Sequence, residues 1–305
     1  MTHQEFIKFF LNIKKSQLAE LTFVSYERCL KKYLPLNELL ENLDIFKAQE
    51  IMLNMDSLSK ATQRRNLTIL KEYYQYAVKY KKASENPFCD VEKPNYNKQS
   101  VLANSLSQEE IQKMLKAAKN LPVFWQAFFV LALDSGARRG ELIALKWEDV
   151  DLKEQSIIIK HSAYCRGNVK IKETKGKKER IIHISEETTK LLKKLLLEQK
   201  KNSLKQGIPL NDFIFTLNGK LINPTSATHT WQRFIKINGL KNRRLHDLRH
   251  TCASMLLSNG VDVNTVRLRL GHTALTTTLL YVHTNNDIIS ANIISNILQK
   301  ANISL

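Results

Sequence analysis

A polar stretch with two prolines divides the chain into two parts of different pattern. It reads SENPFCDVEKPNYNKQS over residues 84 to 100 and interrupts the apolar periodicity that precedes it. Prolines and clustered polar residues are typical of connections between domains. A chain of 305 residues has room for two domains with separate cores. We therefore predict a linker at 89–104, between domains at 1–88 and 105–285.

The first domain has the pattern of a helical bundle. Its clearest helix follows Ser59 and has one apolar face at helical spacing. That face consists of Leu67, Leu70, Tyr74 and Ala77. Further helical patterns cover residues 3–14, 18–33 and 44–55.

The second domain is predicted to be mainly helical with one small antiparallel sheet. Ser107 and Glu110 have the spacing of a capping box and predict a helix over 108–119, and a buried helix follows at 123–134. Strand-like segments read SIIIK, NVKIKE and ERIIHIS, and the last two flank the hairpin turn TKGKK. The pattern is helical again from Ser185 onward, with Asn223 and Pro224 as N-cap and first residue of one helix.

The chain carries a net charge of +18, from 47 Lys and Arg against 29 Asp and Glu. A field of this sign attracts polyanions, and nucleic acid is the commonest of these in solution. An anionic membrane is the competing partner, but the longest nearly apolar run, FWQAFFVLAL, falls short of the roughly 18 residues that a span requires. The opening residues MTHQEFIKFF also lack the apolar region of a signal peptide. We expect a cytoplasmic protein without a membrane partner.

Two segments of the second domain suit a phosphodiester. In DSGARRGEL, Arg138 lies between a buried helix and the start of another, where free N–H groups and the helix dipole favour an anion. The turn TKGKK places Lys175 on a basic ribbon, and we expect Lys177 and Lys178 to contact phosphates. Taken alone, Arg138 and Lys175 also fit ordinary surface charges.

A basic helix and a following tyrosine complete the candidate groups. In HDLRH, helical spacing places His246, Arg249 and His250 on one face. Zinc is the alternative ligand for two such histidines, but the intervening arginine repels a cation, so we predict no metal site and favour an anion. In LGHTALTTTLLYVHT, His272 follows a glycine that ends a short helix, and Tyr281 is a candidate nucleophile if a phosphate is bound nearby. His246 and His250 also fit buried structural histidines.

Together these segments resemble the tyrosine recombinase (phage integrase) family. The matching stretches are SGARRGELIALKWEDVDL, TKGKKERIIHI, LHDLRHTCASMLLSNGVDVNTVRLRLGH and TTTLLY, in family order over most of residues 105 to 285. The stretch SKATQRRNLTILKEYYQYAVKYKKASENP resembles that family's core-site-binding domain. The resemblance implies a mainly α fold with a small antiparallel β-sheet: an N-terminal helical core-binding bundle and a C-terminal mixed α/β catalytic domain of the tyrosine recombinase type.

The resemblance implies an enzyme that cuts and rejoins duplex DNA. Tyr281 would attack the scissile phosphate and form a 3'-phosphotyrosyl link. Arg138 and Arg249 would hold that phosphate and stabilise the charge that grows in the transition state. Lys175 would protonate the leaving 5'-oxygen.

The remaining matches imply supporting roles. His246 and His272 would assist proton transfer and hold the phosphate. Glu141 would support the site from behind, and His250 would be mainly structural. Neither a metal nor another cofactor is expected, because two arginines and a lysine do the neutralising that a divalent ion does elsewhere.

Other basic residues are expected to contact DNA without taking part in catalysis. They lie on the polar face of the helix after Ser59, in the turn TKGKK and before HDLRH. The set is Arg64, Arg65, Lys71, Lys177, Lys178, Arg243 and Arg244.

The resemblance also implies partners. The tail at 286–305 predicts a helix with an apolar face, which either folds back on its own domain or, as the resemblance favours, docks on a neighbouring protomer. The expected partner is a duplex core site with inverted repeats, bound by a dimer at each site and by a tetramer in the synapse. An accessory DNA-bending or directionality factor is a further expected partner, and the expected location is the nucleoid.

The stretch GARRGELIALKWEDVDL resembles the integrases of phages and conjugative elements more than it resembles chromosome-dimer resolvases, so integration and excision of a mobile element is the favoured function. Because the core-binding bundle is predicted almost at the first residue, we expect no extra N-terminal arm-binding domain of the kind that many integrases have, which leaves an Xer-like resolution of chromosome or plasmid dimers open. A type IB topoisomerase-like enzyme and a non-catalytic DNA-binding regulator are the alternatives from other classes. The regulator would have no reason to keep the predicted catalytic residues together.

Overall fold

The computed structural model of the chain describes residues 1–95, 105–173, 179–271 and 294–295. The chain divides into two compact units, Met1–Lys98 and Gln99–Leu305. The division falls inside the segment that the sequence predicts as a linker. Each unit has a hydrophobic core of its own.

In its described residues the N-terminal unit has four α-helices. They are α1 (His3–Lys15), α2 (Glu20–Tyr33), α3 (Ile45–Leu53) and α4 (Lys60–Lys79). Side chains cap three of them: Thr2 starts α1 with a capping box, Asp44 starts α3 and Ser59 starts α4. The apolar face predicted for α4 is confirmed by the burial of all its members.

A buried polar cluster, which we call the His3 cluster, joins α1 to α4 in this unit. The hydroxyls of Tyr73 and Tyr74 lie 3.3 and 3.2 Å from Nδ1 and Nε2 of the His3 imidazole. The Tyr74 hydroxyl is also placed to donate to the carbonyl of Leu40. Burial lowers the pKa of His3 to about 4, so the imidazole is neutral at neutral pH.

In its described residues the C-terminal unit has seven α-helices. They are α5 (Gln108–Ala118), α6 (Val123–Ser135), α7 (Arg139–Ile143), α8 (Glu186–Gln206), α9 (Pro224–Ile237), α10 (Asp247–Ser258) and α11 (Val263–Leu270). The capping box of Ser107 and Glu110 and the Asn223 cap before Pro224 are confirmed. Helix α6 is buried on nearly every side, so it forms the centre of the unit.

In the described residues, seven short strands accompany these helices. They are β1 (Val150–Asp151), β2 (Ser156–Ile159), β3 (His161–Arg166), β4 (Asn168–Glu173), β5 (Arg180–His183), β6 (Thr216–Leu217) and β7 (Lys220–Leu221). All pairs are antiparallel, and the described strands form three separate sheets in the orders β1-β2-β5, β3-β4 and β6-β7.

The strand pairing corrects one prediction. The segments NVKIKE and ERIIHIS were expected to pair as a hairpin around TKGKK, but β4 pairs with β3 and β5 pairs with β2. Ile171 lies opposite Ala163, whereas Ile182 lies opposite Ile157. The described strands β4 and β5 therefore belong to two separate sheets.

Two glycines bring the surrounding elements close together. Gly136 ends α6 with φ +61°, and a Cβ there would lie 2.6 Å from Cδ2 of Leu270. A Cβ on Gly140 of α7 would lie 2.4 Å from the carbonyl oxygen of Ala163 in β3. The end of α6 therefore meets α11, and α7 lies directly against β3.

Candidate active site

The structure describes seven of the twelve predicted functional residues of the C-terminal unit. Described are Arg138, Glu141, Arg243, Arg244, His246, Arg249 and His250. Lys175, Lys177, Lys178, His272 and Tyr281 lie outside the described residues. The described part of the site therefore contains the two predicted phosphate ligands, Arg138 and Arg249, and the groups that hold them.

Arg138 lies at the N-cap of α7 and is held by Glu141. Its backbone N–H donates to Oε2 of Glu141 at 2.8 Å, and its Nη1 donates to Oε1 at 2.9 Å. Its Nη2 donates to the carbonyl oxygen of Gly271 at 3.1 Å. Because 43% of the Arg138 side chain is exposed, the guanidinium is anchored on one side and accessible on the other.

Arg249 on α10 is the more deeply buried of the two arginines. Its Nη1 donates to the carbonyl oxygen of Gly136 at 2.8 Å and its Nη2 to that of Leu270 at 2.6 Å. Burial, together with the charges of Arg138 and Arg180, lowers its pKa to about 10, so the side chain remains a cation at neutral pH. Arg138 and Arg249 thus bind consecutive carbonyl groups at the end of α11.

His246 and His250 contact each other at the start of α10. Their ring centroids lie 5.0 Å apart in an edge-to-face arrangement. His246 is exposed at its outer edge, whereas Arg249 is turned into the interior, so the face predicted for HDLRH is shared only in part. Partial desolvation, followed by the positive charges around it, lowers the pKa of His246 to about 4. The neutral imidazole is able to accept a proton.

Arg180, at the start of β5, is a functional candidate that sequence reasoning missed. Its Nη2 and Nη1 donate to Oε2 and Oε1 of Glu141 at 2.6 and 3.3 Å, and its Nε donates to the carbonyl oxygen of Arg269 at 2.9 Å. Burial raises the pKa of Glu141, but the hydrogen bonds and charge of Arg180, aided by Arg138, lower it overall. An arginine opening the short apolar strand RIIH is the one local signal that pointed to it.

Two guanidinium groups, those of Arg138 and Arg180, are therefore paired with one carboxylate, and the guanidinium of Arg249 lies within range of its charge. We call this set, Arg138, Glu141, Arg180 and Arg249, the arginine cluster. Its three positive charges and one negative charge leave a local excess of +2. Buried charge of one sign is costly unless an opposite charge completes it. A phosphodiester, which gains negative charge on attack at phosphorus, is such a partner.

A cleft opens beside the exposed side of Arg138. It has a volume of about 480 Å³ and is lined by Arg138, Arg139, Ser162, Thr228, Arg244 and His246, among others. Arg139 donates a hydrogen bond to the hydroxyl of Thr228 on α9. The cleft joins the outer edge of the arginine cluster to His246.

The other predicted DNA contacts differ in how free their side chains are. Arg64 and Arg65 are exposed on α4, and Arg65 donates to the hydroxyl of Ser25. Lys71 donates to the carbonyl oxygen of Cys89 at 2.9 Å, which ties the residue to its own unit. Arg244 is 67% exposed and pairs with Asp247 at 2.9 Å, while Arg243 is half-buried. Their role in binding DNA stays a prediction.

Within residues 1–95, 105–173, 179–271 and 294–295, no group of three or more His, Cys, Asp or Glu side chains is arranged to hold a metal ion. In those same ranges, none of the helices combines the length and apolar character needed to cross a membrane. The four cysteines are free thiols, two of them buried.

The sequence family was established by comparison with known proteins. The model of the Phage integrase family matches residues 104–287. This chain belongs to that family. Tyrosine recombinase XerD from Staphylococcus haemolyticus is 31% identical over 295 residues, covering 92% of each chain. The tyrosine recombinase XerC-like protein of Caldanaerobacter subterraneus is 30% identical over 292 residues, covering 86% of this chain and 74% of the relative.

Solved structures of the phage integrase family share the fold. The Tn1549 transposon integrase in complex with transposon right end DNA matches with a TM-score of 0.78 at 20% identity, covering 100% of both chains. A lambda integrase tetramer bound to a Holliday junction matches with a TM-score of 0.70 at 16% identity, covering 92% of this chain and 80% of the other. The predicted fold class is confirmed. The chain is a tyrosine recombinase, an enzyme that cuts and rejoins DNA.

Proposed function

We propose that this phage integrase family member carries out conservative site-specific recombination through a 3'-phosphotyrosyl intermediate. The observation that carries the proposal is the anchoring of Arg138 and Arg249 on the carbonyl groups of Gly271 and Leu270. From Gly271 the sequence continues directly to His272 and, nine residues later, to Tyr281. The two proposed phosphate ligands therefore donate hydrogen bonds to the residues that immediately precede the proposed nucleophilic segment.

In this proposal the Tyr281 oxygen forms a bond to phosphorus while the bond from phosphorus to the 5'-oxygen breaks. Arg138 and Arg249 stabilise the additional negative charge on the non-bridging oxygens, which the local excess of +2 favours. Lys175 supplies the proton that the leaving 5'-oxygen requires. His246, whose lowered pKa keeps it neutral, accepts the proton that leaves the tyrosine.

The other residues support this chemistry. Glu141 fixes Arg138, and His272 assists in holding the phosphate. The rejoining step reverses the first one: a 5'-hydroxyl of the partner strand attacks the phosphotyrosine and releases Tyr281. The bond energy stays in the phosphotyrosyl link, so the reaction requires no ATP.

The proposed assembly is a dimer on each core site with inverted repeats and a tetramer in the synapse. It is supported by the lambda integrase structures, one a dimer bound to a core site and one a tetramer bound to a Holliday junction. We expect the tail at 286–305 to dock on a neighbouring protomer.

We propose integration and excision of a mobile element as the biological outcome, supported by the similarity to the transposon and lambda integrases. Xer-like resolution of chromosome or plasmid dimers is a second candidate, because several relatives that match over most of their length are named XerC or XerD. Sequencing the genomic fragments that become covalently linked to the protein in its host separates the two. Junctions of an inserted element support integration, whereas a site near the replication terminus supports dimer resolution.

The nucleophile is tested with a nicked suicide substrate built on the recovered core site. Wild-type protein should accumulate a covalent adduct, and Tyr281→Phe should form none while binding the same DNA. Tyr80→Phe, which makes the same chemical change at a 40% exposed tyrosine of the other unit, is the matched control and should react normally. An adduct formed by Tyr281→Phe would disprove the assignment.

A further inference from the structure

We propose that Arg180 is a positioning residue of this active site: it neutralises Glu141 and thereby leaves the charge of Arg138 available to the DNA phosphate. The proposal rests on the proposed role of Arg138 as a phosphate ligand. It goes beyond that role by assigning a function to an arginine outside the predicted catalytic set.

The two carboxylate oxygens of Glu141 each accept hydrogen bonds from both Arg138 and Arg180. Oε1 accepts from Nη1 of Arg138 at 2.9 Å and from Nη1 of Arg180 at 3.3 Å. Oε2 accepts from the backbone N–H of Arg138 at 2.8 Å and from Nη2 of Arg180 at 2.6 Å. Arg180 therefore makes the two-pronged pair with the carboxylate, and Arg138 is the second cation on it.

The pair of Arg180 and Glu141 is more deeply buried than Arg138. The Arg180 side chain is 13% exposed and that of Glu141 3%, whereas 43% of the Arg138 side chain is exposed. Charges attract more strongly where water is excluded, so the pair of Arg180 and Glu141 is the stronger of the two. Arg180 therefore neutralises the charge of the Glu141 carboxylate in the interior. The charge of Arg138 remains available on its solvent-accessible side.

Arg180 also determines the net charge of the arginine cluster. Without Arg180, the carboxylate would be paired with Arg138 alone and the two charges would cancel. The phosphate would then meet the charge of Arg249 only. With Arg180 in place, the arginine cluster has an excess of +2, which balances the negative charge that a phosphodiester already carries together with the one that it gains on attack.

Arg180 also lies against the backbone from which the nucleophilic segment continues. Its Nε donates to the carbonyl oxygen of Arg269, and a Cβ on Gly271 would lie only 2.9 Å from its Nη1. A lysine would keep the charge but would lose this arrangement, because one ammonium group does not reproduce a planar fork with a third bond at Nε. The pair of variants Arg180→Lys and Arg180→Met therefore separates charge from geometry.

The first experiment measures adduct formation in a single turnover on the suicide substrate. We expect Arg180→Met to react at least about tenfold more slowly than wild type, a loss of ~1.4 kcal/mol of transition-state stabilisation, with little change in DNA affinity. Arg180→Lys should react at an intermediate rate. Lys190→Met is the matched control: it also removes one positive charge and one ion pair, but at an exposed position of α8, and should react as wild type does.

The second experiment asks whether the effect passes through Glu141, which is surrounded by Arg138, Arg180 and Arg249. In Arg180→Met, burial should raise the pKa of Glu141, so that mildly acidic solution protonates it and frees Arg138. The rate ratio of wild type to Arg180→Met should therefore shrink as pH falls. His246 titrates in both proteins, so its contribution cancels in the ratio. Adding Glu141→Gln to Arg180→Met mimics the protonated carboxyl and should restore part of the rate at every pH.

The outcomes are distinct. A wild-type rate for folded Arg180→Met overturns the proposal. A slow Arg180→Met whose ratio to wild type is independent of pH, and which Glu141→Gln does not rescue, also overturns it, because the residue then acts on the fold alone. If Arg180→Met unfolds, Arg180→Lys with and without Glu141→Gln gives the same decision. Failure of the underlying function is recognised separately, since wild type would then form no adduct or Arg138→Ala would react normally.

Discussion

The two units bury polar side chains in opposite ways. In the His3 cluster of the N-terminal unit, a neutral imidazole and two hydroxyls find hydrogen-bond partners in one another and in nearby carbonyl groups. In the arginine cluster of the C-terminal unit, two cations are paired with one carboxylate, and a third cation, Arg249, lies within range of its charge. The first cluster is complete without a ligand, whereas the second has an excess of charge of one sign.

This difference separates stability from function. Buried neutral groups that are fully hydrogen-bonded stabilise a fold and specify its packing. A buried excess of positive charge reduces stability unless an anion completes it, and it persists where it serves binding or catalysis. Substitutions in the His3 cluster should therefore change unfolding but leave the chemistry intact, and those in the arginine cluster should change the reaction rate most.

The largest effect is expected for Arg249→Ala. Loss of this donor should slow adduct formation by about 100- to 1000-fold, as does removal of a hydrogen-bond donor to a developing oxyanion. DNA affinity should change far less, because many Lys and Arg side chains share the binding of the backbone. Single-turnover cleavage and DNA titration measure the two quantities, with Lys190→Ala as the control. A loss of affinity as large as the loss of rate would contradict the assignment.

A pH effect of intermediate size should belong to the N-terminal unit. The pKa of His3 in the folded chain, about 4, lies below the ordinary value of 6.5. The unfolded chain therefore binds a proton at His3 that the folded chain excludes. The contribution of His3 to the free energy of unfolding should be fully present above about pH 6.5. The free energy of unfolding should fall by about 3 kcal/mol as pH drops toward 4. The variant His3→Gln should flatten this dependence.

Urea unfolding at several pH values tests the effect, read by hydrogen exchange of α1 and α4. The three tryptophans, Trp125, Trp147 and Trp231, all lie in the C-terminal unit, so their fluorescence serves as the internal comparison. Equal pH dependence of wild type and His3→Gln in α1 and α4 would show that another group is responsible.

The smallest effect is expected for Tyr74→Phe. Removing this fully buried hydroxyl takes one partner from His3 and one from the carbonyl of Leu40, and should cost about 1–2 kcal/mol of stability. The cleavage rate should be unchanged. Tyr80→Phe, with a 40% exposed ring, should alter neither quantity. A slower cleavage step in folded Tyr74→Phe would remove the distinction between the two clusters.

Local signals predicted much of the fold. The caps at Ser107 and Asn223 and the apolar face of α4 were read correctly because each depends on residues within one or two helical turns. Strand partners were not, since a strand's pattern does not state which other strand it pairs with. Strand β3, HSAYCR, escaped prediction because it lacks a regular alternation of apolar and polar residues.

The candidate site shows the same limit. The family resemblance implied a supporting role for Glu141, and helical spacing in HDLRH singled out Arg249 together with His246 and His250. Arg180 lies 39 residues from Glu141 in sequence, and its contact with the carboxylate exists only once β5 has paired with β2. The burial of Arg249 was also unpredictable from HDLRH, since it depends on the ends of α6 and α11.

The two carbonyl anchors of Arg249 have an entropic consequence. A free arginine side chain samples many rotamers, which corresponds to about 2 kcal/mol of conformational entropy that is lost when one rotamer is selected. Here the backbone oxygens of Gly136 and Leu270 hold the side chain in one rotamer in the DNA-free protein. The loss of rotational freedom has then already occurred during folding. In the proposed reaction, Arg249 therefore binds the phosphate without a further loss of side-chain rotational entropy.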